Sequence, residues 1–242
     1  VVNRRTIVDT SKIMTLSNLD APVSTNNTLH MVSFLAEFDA ENAHRFPVVQ
    51  SASSMGWQPD GGFLLPDMYY ATDQRPDQEF ALTPPSGLET LSGGWKTKGT
   101  WSDWVSAMTL VEDFPYMFIA AYASAAAPLL EILHVPGFVL DFSGETSGGK
   151  TTALRFAASV WGRPAESYPT AMYSWDATKV WIERTSGFLR NLPLILDETK
   201  RARHPRIVRD VIYNFCQGQG RGRGSVEGTR HTESWRSVLI SS

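Results

Sequence analysis

Gly144, Gly149, Lys150 and Thr151 stand at the spacing of a glycine, four residues, a second glycine, a lysine and a hydroxyl side chain. Each residue type in that pattern has a part in holding phosphate. Glycines let the backbone wrap closely enough for its N–H groups to face phosphate oxygens, and a helix starting there adds the positive end of its dipole. Lys150 would neutralise the β and γ phosphates, and the Thr151 hydroxyl would hold Mg²⁺. Glu145, Thr146, Ser147, Gly148 and Thr152 complete the candidate loop. The expected ligand is a purine nucleoside triphosphate, ATP with Mg²⁺.

A second set of residues would act on that ligand. Leu192, Pro193, Leu194, Ile195 and Leu196 form an apolar run ending in adjacent carboxylates, Asp197 and Glu198, the form of a Walker B strand. A buried parallel strand delivers its carboxyl end to the sheet edge that carries the phosphate loop. There Asp197 would hold Mg²⁺ through its water shell, and Glu198 would polarise the attacking water. A base at Glu198 favours hydrolysis over phosphoryl transfer to a metabolite, which needs no such group at that place. Standing alone, the run reads equally well as a strand ending in a solvated acidic turn. Its place about 45 residues beyond the phosphate loop weighs against that alternative.

The elements around the loop match its requirements. Phe138, Val139, Leu140 and Phe142 read as a short buried strand, and residues 152–161 as a helix with Leu154, Ala157, Ala158 and Trp161 on one face. Gly162 and Pro164 then stop it. A Gly/Ser turn with an incidental lysine would not explain both flanks. Earlier in the chain, Ser24 or Thr25 can cap a helix with Leu29, Val32, Leu35, Ala36 and Phe38 inward. The Pro59, Asp60, Gly61, Gly62 cluster reads as a hairpin turn in a small antiparallel sheet. Met55, Gly56 and Trp57 beside it suit a core more readily than a ligand platform. Residues 86–99 read as a linker, and Ser102 and Pro115 as the starts of two helices leading into the nucleotide strand. Residues 114–130 are apolar and uncharged, but prolines near both ends and an Ala/Ser-rich middle argue against a membrane span.

Around Asp197 and Glu198, residues 175–187 read as a helix with Val180 and either Ile182 or Trp181 inward and Gly187 as its stop. Pro205 opens another, whose buried stripe is Ile207, Val208, Val211, Ile212 and Phe215 and whose end is Gly218. Arg221, Arg223 and Arg230 follow in a glycine-rich stretch that can form a hairpin before a last strand at residues 237–240. Such arginines can bind backbone phosphates without reading sequence. A flexible solvated loop is the open alternative.

Composition narrows the class. The chain of 242 residues carries a net charge of −3 and is 42% hydrophobic, as expected of a soluble globular protein. Residues 1–140 hold 7 Lys and Arg against 15 Asp and Glu, whereas residues 141–242 hold 15 against 10, so the phosphate-loop half is the basic one. That asymmetry suits a polyanionic partner, and a solvated basic face explains it nearly as well. One cysteine, Cys216, excludes a disulfide scaffold and points to a reducing cytoplasm. The five histidines lack metal-ligand spacing, so no zinc site is expected. With Val1 first and no leader pattern, the sequence reads as part of a larger product.

The combination FSGETSGGKTTALRFAASVWG, LPLILDE, GQGRGRG and WRSVLISS resembles the domain of unknown function 927 family, found in helicase-like proteins of phages and integrated mobile elements. RRTIVDTSKIM, APVSTNN, SMGW and FIAAYASAAAPLL are similar to the family's amino-terminal portion, so the resemblance spans nearly the whole chain. It implies an AAA+-like P-loop ATPase related to ring-forming replicative helicases of the superfamily III and minichromosome-maintenance type. It places sensor 1 at Ser241 or Ser242 and turns the hairpin at about Arg221 to Glu233 toward DNA in a ring pore. Relative to that pattern the later strand, the helical lid and its sensor arginine are missing, and no arginine finger is assignable.

The expected fold is therefore an α/β P-loop NTPase core at residues 99–242, a parallel sheet with helices on both faces, truncated before the lid. A smaller α+β domain at residues 1–98 precedes it. The expected function is that of an ATP-hydrolysing, helicase-like motor fragment acting on DNA, single-stranded by preference, in replication of a phage or mobile element, with a homo-oligomeric ring formed by the full-length protein in the cytoplasm and no membrane partner. A nucleotide-dependent DNA-binding switch or loader, and a duplex-DNA packaging or translocation motor, are the alternatives.

Overall fold

The computed structural model describes residues 4–46, 49–72, 80–145, 148–222, 224–225, 228–229 and 232–242. They fall into two compact units, Val1–Val49 and Gln50–Ser242. The break expected at residue 98 falls inside the second unit, where Met55, Phe63, Leu88 and Trp95 share one core with Leu154 and Ala157 of the helix after the glycine–lysine loop.

In the first unit, α1 (Arg4–Ile7) and a 3-10 turn at Ile13–Leu19 precede α2 (Thr28–Asn42). Ile13, Leu16 and Val23 are buried together, with Met31, Val32 and Leu35 of α2 against them. Leu29, Ala36 and Phe38, expected inward, are exposed. Asn27, rather than Ser24 or Thr25, precedes the helix. Its side chain closes the approaching turn by accepting the Ser24 N–H and donating to the Pro22 carbonyl.

The second unit opens with β1 (Gln50–Ala52), β2 (Gly56–Trp57), β3 (Phe63–Leu64), β4 (Tyr69–Tyr70) and β5 (Phe80–Leu82). β2, β3 and β4 form the expected antiparallel sheet, while β1 pairs in parallel with β5. The Gln58 N–H donates to the Gly62 carbonyl at 2.8 Å, closing the turn at Asp60 and Gly61. Met55 is fully buried, and its N–H reaches the carbonyl of Phe188. The stretch at residues 86–99 is no free linker: Leu88, Leu91 and Trp95 are buried, and the Trp95 indole donates to the Tyr173 hydroxyl at 2.8 Å.

Helix α3 (Trp101–Met108) is capped by Thr100, not Ser102; the Thr100 hydroxyl accepts the Asp103 N–H. α4 (Pro115–Ala126) and α5 (Leu129–Ile132) break near Pro128, and among the described residues no helix is long and apolar enough to cross a membrane. The chain then runs β6 (Phe138–Asp141), α6 (Lys150–Ser159), β7 (Tyr173–Ser174), α7 (Lys179–Leu189), β8 (Leu194–Asp197) and α8 (Pro205–Gln217). A short hairpin of β9 (Gly224–Ser225) and β10 (Gly228–Thr229) follows, and β11 (Val238–Ser241) ends the fold.

β6, β11, β8 and β7 lie side by side, all parallel, so the last strand of the chain sits between the strand before the glycine–lysine loop and the acidic one. All four residues of β11 are buried, which requires cover on both faces. Helices α4 and α6 pack together and onto β11, and α7 and α8 pack together and onto the sheet. On α7, Ile182 is buried and Trp181 half-buried, but Val180, expected inward, is exposed. Gly187 lies inside α7 rather than at its end, which comes at Leu189. A side chain on Gly187 would run into that of Glu233, so close approach explains this glycine. α8 follows expectation, with Pro205 in its first turn, Val211 and Phe215 buried, and Gly218 as its stop.

The start of this core has a tight backbone crossing. The Arg163 N–H donates to the Gly94 carbonyl at 2.8 Å, and a Cβ built on Gly162 would collide with that carbonyl. Backbone cannot move aside as a side-chain tip can. Gly162→Ala should therefore destabilise the protein by about 1–3 kcal/mol, measured as a lower urea midpoint at unchanged slope.

Candidate functional site

Parallel pairing places Asp141, Ser174, Asp197 and Ser241 at the carboxyl ends of their strands. That is the edge where open α/β sheets take ligands. The chain leaves β6 at Asp141 and enters α6 at Lys150. Gly149 precedes the helix with φ 77°, a conformation that suits glycine, and a Cβ there would stand 2.7 Å from the Tyr116 hydroxyl. The N–H groups of the first turn of α6 are left without intrahelical partners and face the loop.

A cleft of about 650 Å³ lies against this edge. Gly144, Gly148, Gly149, Lys150, Thr151 and Thr152 line one side of it. Asp197, Glu198 and Ser242 line the other. Thr146 and Ser147 lie outside the described residues. The Lys150 ammonium donates to the carbonyls of Gly144 at 3.0 Å and Glu145 at 2.5 Å, which tethers the lysine across its own loop.

The two candidate serines separate. Ser241 is fully buried, and its hydroxyl accepts the Trp175 indole N–H at 3.0 Å, so it joins the core. Ser242 lines the cleft, where its hydroxyl donates to the Asp197 carboxylate at 2.5 Å. Its carbonyl also accepts the Thr199 N–H at 2.7 Å. Glu198 is exposed at the mouth with φ 64° and ψ 75°, left-handed backbone that costs a non-glycine residue about 1–3 kcal/mol. The Thr199–Ser242 and Arg201–Glu198 backbone hydrogen bonds hold this turn in place.

The residues fit a nucleoside triphosphate with its cation. Helix-start N–H groups, glycines and a lysine converge on one side of the cleft, as an anion requires. Among the described residues no cluster of three or more His, Cys, Asp or Glu could hold a metal by itself. One hydroxyl at Thr151 and one carboxylate at Asp197 suit Mg²⁺, which keeps waters and takes further oxygens from phosphate.

Sequence spacing missed a second hollow of about 700 Å³ that shares Thr151, Asp197 and Glu198 with the first. Tyr168, Thr170, Asp176, Arg201 and Arg203 also line it. Burial raises the Tyr168 and Tyr173 hydroxyls above the ordinary tyrosine range, so both stay protonated. Lys200, Arg201 and Arg203 directly after the acidic pair were the available signal. Of the three arginines expected on the hairpin, Arg221 is exposed in the segment between α8 and β9, while Arg223 and Arg230 lie outside the described residues.

Fold and cleft together define an α/β protein with a glycine–lysine loop and an acidic strand end on the carboxyl edge of a parallel sheet. The chain belongs to the family described as Domain of unknown function (DUF927), whose model matches residues 2–235. Its fold is similar to a solved structure described as "SCCmec type IV Cch - active helicase", at a TM-score of 0.70 and 21% identity. That likeness covers 97% of this chain and 43% of the other, so the chain spans less than half the length of the structure it matches. No curated protein matches the chain.

Proposed function

We propose that this chain is an ATP-hydrolysing, helicase-like motor segment that acts on DNA of a mobile element. The observation that carries the reading is the convergence of Lys150, Thr151, Asp197, Glu198 and Ser242 on one cleft from three neighbouring strand ends. The placing of β11 between β6 and β8 supports a P-loop ATPase of the AAA+ kind. The mobile-element helicase with a similar fold supports the choice of DNA as the object of the work.

In this reading the loop N–H groups and Lys150 hold the phosphates, with Lys150 exchanging its two carbonyl partners for phosphate oxygens. Thr151 and Asp197 would hold Mg²⁺, which supplies charge neutralisation at the phosphates when bound. Glu198, at the mouth of the cleft, takes the proton of the attacking water. Ser242 fixes the Asp197 carboxylate and senses the state of the cleft. Arg221, Arg223 and Arg230 hold the DNA backbone at the hairpin, and copies of the protein assemble as a ring.

A strand-displacement assay on a forked duplex tests the reading. ATP-dependent release of the labelled strand is the expected result. Turnover of ATP and binding of DNA with no strand released would instead make the protein a nucleotide-dependent DNA-binding switch.

A further inference from the structure

A groove of about 730 Å³ runs between α7, α8 and the Gln219–Arg221 segment that follows α8, and it shares no lining residue with either hollow at the sheet edge. Lys179, Arg209, Tyr213, Asn214, Gln219 and Arg221 line it. Val211 and Phe215 turn the other face of α8 into the core, which leaves Tyr213 67% exposed. The Tyr213 ring contacts no other aromatic ring among the described residues.

The charges around it are unequal in availability. Glu183 and Asp210 are the acids of the groove. Asp210 is engaged by the Lys179 ammonium and by Arg209 at 3.4 Å. The Lys179 hydrogen bond first of all holds the Asp210 carboxyl below its ordinary range, so it is ionised and already matched. Arg209 keeps a side chain 77% exposed, and Arg221 makes no ion pair among the described residues. The Gly220 N–H donates to the Glu233 carbonyl at 2.8 Å, and Gln219 bridges to Ser234. These bonds fix the groove's far wall to the base of the β9–β10 hairpin.

We infer that this groove binds single-stranded nucleic acid, with one unpaired base stacked on Tyr213 and the flanking phosphates held by Arg209 and Arg221. An exposed aromatic face beside solvent-exposed guanidinium groups is the arrangement that takes unpaired bases without regard to sequence. A paired base offers no free face to such a ring. Asn214 and Gln219 supply amide groups that can meet base edges or sugar oxygens. The inference rests on the reading of the protein as acting on DNA and extends it beyond the hairpin arginines to a specific base contact.

The test is fluorescence anisotropy of a labelled oligothymidylate with the whole 242-residue chain, beside ATP turnover in the absence of DNA. Tyr213→Ala should weaken binding about tenfold or more, the loss of one stacked base, with the salt slope and the DNA-free turnover unchanged. Tyr213→Phe should bind as the wild type does, since the ring stacks without its hydroxyl. Arg209→Gln with Arg221→Gln should instead flatten the salt slope by roughly 1.4, two phosphates on a single strand. Wild-type affinity in Tyr213→Ala, or an equal loss in Tyr213→Phe, would overturn the groove. Oligonucleotide binding with no ATP turnover would sink the motor reading and leave the groove standing; turnover with no oligonucleotide binding would overturn the groove and leave only the ATP-hydrolysing part of the proposed function.

Discussion

Lys150→Ala is expected to abolish ATP binding at micromolar nucleotide while the fold persists. In the structure the Lys150 ammonium rests on two loop carbonyls, Gly144 and Glu145, at the lip of the cleft. Those bonds are partly open to water, so their loss costs little stability. The phosphate contacts are different in kind. A hydrogen bond to a charged group contributes about 1.5–3 kcal/mol, and a lysine facing two phosphates makes more than one. Removal of the ammonium should therefore weaken binding about a hundredfold or more. Calorimetric titration with a non-hydrolysable ATP analogue measures it, and a thermal melt of both proteins checks the fold. Unchanged affinity in a folded Lys150→Ala protein would remove the phosphate-loop assignment, and with it the ATPase reading.

The parts of the site carried by short spacing are legible in the order of the residues alone. The glycine–lysine loop lies within a few residues, and its helix and strand follow directly on either side. The LPLILDE run needs only its apolar composition to be a strand, and Asp197 and Glu198 come with it. Helix α8 is readable because its stripe, its opening proline and its closing glycine agree.

What depends on distant partners is not legible in this way. Nothing in the VLIS run says that β11 inserts between β6 and β8, since an apolar strand carries no label for its neighbours. Gly187 has the composition of a helix stop, yet the Glu233 side chain, far along the chain, is what requires a glycine there. The stretch at residues 86–99 has the glycines of a linker, but Leu88, Leu91 and Trp95 bury themselves against elements that the stretch itself does not contain. The two terminal serines are told apart only by their partners, Trp175 for Ser241 and Asp197 for Ser242.

Glu198→Gln should separate nucleotide binding from turnover. The substitution keeps the shape of the side chain and removes only its capacity to take a proton. The backbone at φ 64° is equally unfavourable for either residue, so the turn from β8 to Thr199 should be retained. Asp197, Ser242 and Lys150 stay in place, and ATP affinity should stay within a few-fold of the wild type. Hydrolysis should fall by about 10²–10⁴, the usual contribution of a positioned general base. Single-turnover hydrolysis measured beside nucleotide affinity distinguishes the outcomes. Wild-type turnover would mean that another group takes the proton. An equal fall in affinity and turnover would place Glu198 among the groups that hold the nucleotide. Retained affinity with lost turnover is the result that a base at the cleft mouth requires, and it would trap the protein in its ATP-bound state for structural and DNA-binding work.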